Sequence, residues 1–304
     1  MRDTQRKAVI DIGSNSIRLL IAGGGKPETR ALVTTRLYAG LQPGGILGKE
    51  ALKRSMDALI LLQAKIKEEG VKKIYTVATS AVRDAANREE FVRAVKKELG
   101  LEVTVLSIEQ EAKYSFLGAC HALDILPQET VVFDLGGGST EIAWGGRPLQ
   151  WQSLALGAVR TTNEVSLEEH EINALYSFVA AKLIGVPHNL GERYRNQVAV
   201  GGTVTNLAAI KLRLPEYSPG AVHGTRLRRE EISEMLALFR RCSPAERRKI
   251  PGLQPSRADI IITGTIIVLV LMDHWGISSL IVSKGDLLDG ILEASSNASG
   301  EITT

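Results

Sequence analysis

Residues 131–144 read V-V-F-D-L-G-G-G-S-T-E-I-A-W, and residues 8–22 read A-V-I-D-I-G-S-N-S-I-R-L-L-I-A. Each is an apolar, strand-like run that ends in Asp-x-Gly, passes through small and hydroxyl residues, and resumes as a second apolar run. The copies lie 123 residues apart, with Asp11 aligned on Asp134, Gly13 on Gly136 and Ser16 on Ser139. A hairpin turn favours Asp and Gly on its own account, so one copy alone could be a turn and nothing more. Two copies at equivalent positions, with a third glycine turn at Gly201-Gly202-Thr203-Val204-Thr205, point to two units of common descent that face one another.

The residue types suit one chemistry. Glycines lack a Cβ, so a turn built from them can aim several backbone N–H groups into one concavity, a nest for phosphate oxygens. Ser14, Ser16, Ser139 and Thr140 can add hydroxyl donors. Asp11 and Asp134 would repel a bare phosphate, and make better sense as ligands of Mg2+ or as orienters of water. The pattern reads as a cleft that grips phosphate.

Strands and helices alternate outward from these loops. A helix is expected from about Gly48 to Glu69 with Gly70 closing it, a strand over Lys73–Thr79, and a helix capped at Asn87 that ends at Gly100. A strand at Glu102–Ser107 and a helix from near Glu109 follow. In the second half, helices are expected near 164–183, 228–241 and 256–274, with strands at 198–201 and 279–283. Ser243-Pro244-Ala245-Glu246 reads as a capping box, and Ser256 with Asp259 as a similar helix start. The alternation predicts an α/β protein. The tail from about Ala294 is small and polar and is expected to fray.

Composition excludes several alternatives. A chain of 304 residues with 44% hydrophobic and 23% charged residues has the make-up of a soluble globular protein with room for two domains. The net charge of +3 makes no case for nucleic acid. The apolar stretch Ile260–Met272 is too short for a bilayer and reads as a buried helix. Cys120 and Cys242 fit no metal or disulfide pattern, and no apolar signal core follows Met1, so a reduced, cytoplasmic chain without a membrane role is expected. The five histidines show no metal-ligand spacing.

Further stretches carry a family resemblance. They are T-S-A-V-R-D-A-A-N-R-E-E-F (79–91), E-Q-E-A (109–112), L-A-L-G-A-V-R (154–160), V-G-G-T-V-T-N-L-A (200–208), H-G-T-R-L (223–227) and R-R-K-I-P-G-L-Q-P-S-R-A-D-I-I (247–261). With the two Asp-x-Gly loops, they make the chain resemble the exopolyphosphatase / guanosine pentaphosphate phosphatase family from about residue 8 to 292. The resemblance implies two ribonuclease-H-like domains of the actin, Hsp70 and sugar-kinase superfamily flanking a cleft. The first would occupy residues 1–126 and the second 127–304, with the last helix free to pack back on the first domain.

The resemblance also implies site roles. Glu111 would position or deprotonate the attacking water, Arg83 would neutralise charge at the transferred phosphoryl group, and Glu141 would hold metal and water. Asp11 and Asp134 would serve Mg2+. Gly13, Ser14, Asn15, Gly136, Gly137, Gly138, Ser139 and Thr140 would bind phosphate. The implied substrate is polyphosphate or a guanosine polyphosphate, and a homodimer is compatible with the resemblance.

Other readings remain at this stage. Arg83, Asp84 and Arg88 could be surface charges at a helix entry, and Glu109 and Glu111 favourable acids in a first helical turn. A non-catalytic sensor would keep the loops and lose the acids, yet Glu111, Asp134 and Glu141 are present. A kinase of the same superfamily would need a second acceptor site that the sequence does not display. Longer members of the family carry a further helical region with a His-Asp pair, and no His-Asp dipeptide occurs here. Ile108 stands where the family usually has Gly, which could alter the approach to Glu111.

Overall fold

The computed structural model describes residues 5–26, 28–42, 45–165 and 172–297. In the first half, β1 (Lys7–Ile12), β2 (Ser16–Ala22) and β3 (Thr29–Thr34) form an antiparallel meander. A small hairpin, β4 (Leu41–Gln42) and β5 (Ile46–Leu47), leads into helix α1 (Lys49–Glu68). Strand β6 (Lys73–Ala78), short helix α2 (Ser80–Arg83), α3 (Arg88–Leu99), β7 (Val103–Val105) and α4 (Ile108–Leu123) complete this half. The sheet order is β3-β2-β1-β6-β7, with β6 parallel to both β1 and β7.

The second half repeats the plan. Strands β8 (Thr130–Leu135), β9 (Thr140–Trp144) and β10 (Gln150–Leu154) form the meander, followed by helices α5 (Ala158–Glu164), α6 (Ile172–Lys182) and α7 (Leu190–Arg193). Next come β11 (Asn196–Val200), α8 (Gly202–Lys211), α9 (Pro219–Val222), β12 (Arg226–Arg228), α10 (Arg229–Arg241) and α11 (Pro244–Arg247). Helix α12 (Ile261–Trp275), β13 (Ser279–Val282) and α13 (Leu287–Asn297) end the described chain. The sheet order β10-β9-β8-β11-β13-β12 matches that of the first sheet, with β12 added antiparallel at the edge. The fold is α/β, built from two sheets of ribonuclease-H-like order.

Local chemistry explains these elements. In α1, Ala51, Ser55, Ala58, Leu59, Leu62 and Ile66 fall on one buried stripe at helical spacing. Gly70 then takes a φ of +68°, the left-handed conformation that ends a helix at low cost for glycine. Ser107 and Gln110 make a reciprocal capping box that fixes the start of α4, and with it the direction of Glu111. Helix α12 is buried almost all round, and no helix among the described residues is long and apolar enough to cross a membrane.

Several expected boundaries differ. Asn87 stands at the start of α3 without capping it, because its amide bonds across to the N–H and carbonyl of Leu47. Ser256 and Asp259 start no helix: residues 255–257 form a 3-10 turn, and Ile260 precedes α12. Both side chains face the first half instead, Ser256 toward Thr34 and Asp259 onto Arg36 at 2.7 Å. The helix expected near 164–183 is α6 in its later part, α5 having already ended at Glu164; residues 166–171 lie outside the described residues. Helix α13 continues through Ala294 to Asn297, where fraying was expected, and the rest of the tail lies outside the described residues.

Helix α13 leaves the second sheet and packs against α4 and β1 beside the first. The buried Lys7 of β1 donates from Nζ to the Ser295 carbonyl, a cation at the helix C-terminus where the dipole favours one.

Candidate active site

The two Asp-x-Gly loops close in the same way. Gly13 N–H donates to the Ser16 carbonyl over 3.1 Å, and Gly136 N–H to the Ser139 carbonyl over 3.0 Å. The N–H groups of Ser14, Asn15, Gly137, Gly138 and Ser139 donate to no protein acceptor among the described residues. Buried amides without partners are costly, so these five donors suit an anion. The loops touch: a Cβ added at Gly138 would stand 2.3 Å from Ser80 Oγ and 2.8 Å from Ser14 Oγ. Only glycine allows that approach.

Between the loops lies a cavity of about 80 Å³. Asp11, Gly13, Ser14, Asn15, Glu111, Asp134, Gly136, Gly137, Gly138, Ser139 and Glu141 all line it, so one small volume gathers nearly all the candidates. Two candidates fall elsewhere. Thr140 turns inward and donates from Oγ1 to the Leu156 carbonyl, so its hydroxyl is engaged in the core and not offered to phosphate. Arg83 does not line the cavity; its Nη1 donates to Glu111 Oε2 at 2.5 Å and to the Leu106 carbonyl at 3.3 Å. It backs the acid from behind.

The cavity's cations are ones the sequence reading did not single out. Arg18 stands opposite Asp11 in the β1–β2 register, donates to Asp11 Oδ2 at 2.6 and 2.9 Å, and pairs with Asp286 from the start of α13. A lone arginine within the apolar run I-R-L-L-I-A was the available signal. Arg257 lies across the third glycine turn, where a Cβ at Gly202 would come 1.9 Å from its Nη2. It has no ion pair among the described residues, and burial pulls its pKa down to about 10. An unpaired guanidinium at a cavity wall is a natural partner for phosphate.

Burial dominates the acids. It raises Asp134 to about 6 against the opposing effects of the Ser115 hydroxyl and Arg18. Burial and then the charge of Asp134 raise Glu141 to about 7. Glu111 is pushed well above the usual carboxylate range by burial and then by Glu141, while Arg83 pulls it back. Asp11 is raised too, by burial, despite Arg18. Four crowded acids of this kind attract a cation.

No group of three or more His, Cys, Asp or Glu among the described residues could enclose a metal by itself. The donors nevertheless fit Mg2+. That ion commonly takes one or two carboxylates and fills its remaining positions with water and phosphate oxygens. Asp11 Oδ1 is buried without a partner, and Asp134 lines the same cavity.

The Ppx/GppA phosphatase family model matches residues 29–297. The bifunctional 3-dehydroquinate synthase/phosphatase of Fusobacterium nucleatum is 31% identical over 96% of this chain, which spans 47% of that longer protein. Exopolyphosphatase 2 of Mycobacterium tuberculosis is 31% identical, covering 94% of this chain and 97% of its own length. The crystal structure of the Aquifex aeolicus member of the Ppx/GppA family superposes with a TM-score of 0.80 at 31% identity, over 97% of this chain and 99% of that one.

Proposed function

The chain belongs to the Ppx/GppA phosphatase family, and on that premise we propose that it hydrolyses the terminal phosphoanhydride of inorganic polyphosphate and releases orthophosphate. The observation that carries this reading is the cavity where five unpartnered backbone N–H groups from two loops meet Glu111. Phosphoryl transfer needs positioning and charge stabilisation more than covalent chemistry. The loops hold the terminal phosphate oxygens, and Arg18 and Arg257 neutralise charge along the chain. Glu111 accepts a proton from the attacking water as the new P–O bond forms and the bridging P–O bond breaks. Arg83 opposes the upward push of burial on Glu111 and orients it for that transfer. Asp11 and Asp134 would hold Mg2+, which when bound supplies neutralisation of the phosphate charge.

A second cavity, of about 280 Å³, favours a second substrate. It shares Arg18, Gly201, Gly202 and Arg257 with the first and continues past Leu32, Tyr217 and Pro219. An aromatic and apolar wall beside cations suits a nucleoside, so guanosine pentaphosphate is the alternative.

The test is orthophosphate release by purified protein with Mg2+, comparing long polyphosphate, short polyphosphate and guanosine pentaphosphate. Release from a polyphosphate supports the main reading, and release confined to guanosine pentaphosphate supports the alternative. No release, with ligands still raising the melting temperature, would make the protein a sensor.

A further inference from the structure

The motif L-A-L-G-A-V-R ends in Arg160, a residue the hydrolytic machinery described above does not use. Its backbone, at the start of α5, is tied to the second glycine loop. The N–H groups of Val159 and Arg160 both donate to the Gly137 carbonyl at 2.9 Å, and that of Ala158 donates to the Gly136 carbonyl at 3.0 Å. Its side chain crosses to the first half of the molecule. Nη2 donates to Asp84 Oδ2 at 2.7 Å, and the guanidinium carbon stands 4.8 Å from the centre of the Tyr38 ring. Tyr38 is itself tied to the first loop, through its N–H to the Ser14 carbonyl at 2.9 Å.

Asp84 directly follows Arg83, and its Oδ1 lies 3.9 Å from Arg83 Nε. Arg83 in turn holds Glu111. An unbroken series of contacts therefore runs from the second loop, through Arg160 and Asp84, to Arg83 and the acid. We propose that the Asp84–Arg160 ion pair is a positioning link, which sets Arg83, and through it the carboxylate of Glu111, in register with the phosphate-gripping second loop. Neither residue lines the phosphate cavity, so the pair acts through other residues. The link rests on the reading of Glu111 as the group that accepts the proton from water.

The physical case is one of alignment. Glu111 rides on α4, which packs on β8, β9 and β10 of the second half, whereas Arg83 comes from the first half. Contacts between the halves such as Asp84–Arg160 therefore fix where Arg83 meets Glu111 and the second loop. A misplacement of about 1 Å in such a site can cost about 100-fold in rate. A charge-assisted bond between the halves next to Arg83 and Glu111 is suited to prevent it.

The experiment is a double-mutant cycle on Asp84→Asn, Arg160→Gln and the pair together, with a charge swap, Asp84→Arg with Arg160→Asp. Release of orthophosphate from short polyphosphate is measured with Mg2+, separating kcat from KM, and melting temperatures are recorded. Glu111→Gln runs in parallel, as does Asp273→Asn, which breaks a pair with Arg229 remote from the cavity.

Each single variant should lower kcat by about 10-fold with KM changed less than about 2-fold, and the double variant should lose no more than either single. The swap should recover part of the loss, while Asp273→Asn keeps full kcat. Single effects that simply multiply in the double variant, or that match Asp273→Asn, overturn the link while leaving Glu111 in its role. If Glu111→Gln keeps turnover, or the wild type releases no phosphate, the reading beneath the link falls and the link with it. A loss that appears only as a lowered melting temperature makes the pair a structural brace and overturns the proposal.

Discussion

Ser115 Oγ donates to Asp134 Oδ2 over 2.6 Å, which ties helix α4 to the strand that enters the second loop. Ser115 lies one helical turn beyond Glu111, so a single helix presents the acid proposed to accept a proton and the hydroxyl that orients a proposed metal ligand. The bond also favours the charged form of Asp134, opposing the upward push of burial.

Replacing that hydroxyl should weaken the metal more than the chemistry. In Ser115→Ala, Asp134 should hold its proton to higher pH and face the cavity less firmly. The Mg2+ concentration for half-maximal activity should rise by about 10-fold, the low end for partners of metal ligands, with kcat at saturating Mg2+ largely kept. A magnesium titration of orthophosphate release checks this. An unchanged titration would mean that Asp134 does not hold the ion.

Glu111→Gln should fold and keep much of its phosphate binding, but lose at least about 100-fold in kcat, the low end for a general base. Its melting temperature should equal or exceed that of the wild type, because the amide replaces a buried carboxylate crowded by Glu141. A steady-state assay with a thermal melt separates these outcomes, and unchanged turnover would remove Glu111 from its role.

The sequence showed which loops mattered and left much of their surroundings hidden. Asp-x-Gly at the end of an apolar strand is a local signal, and its repetition marked both loops. Thr140 was misplaced by adjacency. Neighbours on a strand point to opposite faces, so Thr140 and Glu141 could not both reach the cleft, and Thr140 bonds to Leu156 instead. Arg18 becomes meaningful only through a register that sets it against Asp11, and through Asp286, far along the chain. Arg257 reaches the cavity from a turn that read as a helix cap. Strands β3, β10 and β12 escaped notice because T-R-A-L-V-T, Q-W-Q-S-L and R-L-R are half polar, as the edges of their sheets allow.

The buried acids predict an unusual pH dependence. Glu141 rises from 4.5 to about 7 and Asp134 from 3.8 to about 6 in the folded state. Between those values the native state binds more protons than the unfolded chain. Their stabilising contribution is complete below the lower values and is lost progressively as pH rises from there through 6 to 7. Metal-free protein should therefore be more stable near pH 5.5 than near pH 8, by about 3 kcal/mol. Added Mg2+ should narrow the difference by stabilising the ionised acids at the higher pH. Urea denaturation at the two pH values, with and without chelator, measures it. Greater stability at pH 8 without metal would show that the acids are not held in the crowded state.

Two kinds of glycine should respond differently to alanine. At Gly70 the backbone is left-handed and nothing lies within 4 Å of an added Cβ, so Gly70→Ala should cost about 1 kcal/mol of backbone strain and leave activity intact. At Gly290 the backbone is not the obstacle. An added Cβ would stand 1.9 Å from the Tyr114 carbonyl oxygen, where α13 lies against α4, and Gly118 meets the Asp286 carbonyl just as closely from the other side. Neither oxygen can move without its helix. Gly290→Ala should therefore part the two helices and cost about 3 kcal/mol or more, as overpacking against backbone does. Because Asp286 sits at the start of α13 and holds Arg18, the same change should also lower kcat per folded molecule. Denaturation curves and single-turnover assays on both variants test the distinction. Equal stability losses would mean that α13 is not seated on α4 through its glycines, and a destabilised Gly290→Ala with full kcat would detach Asp286 from the site.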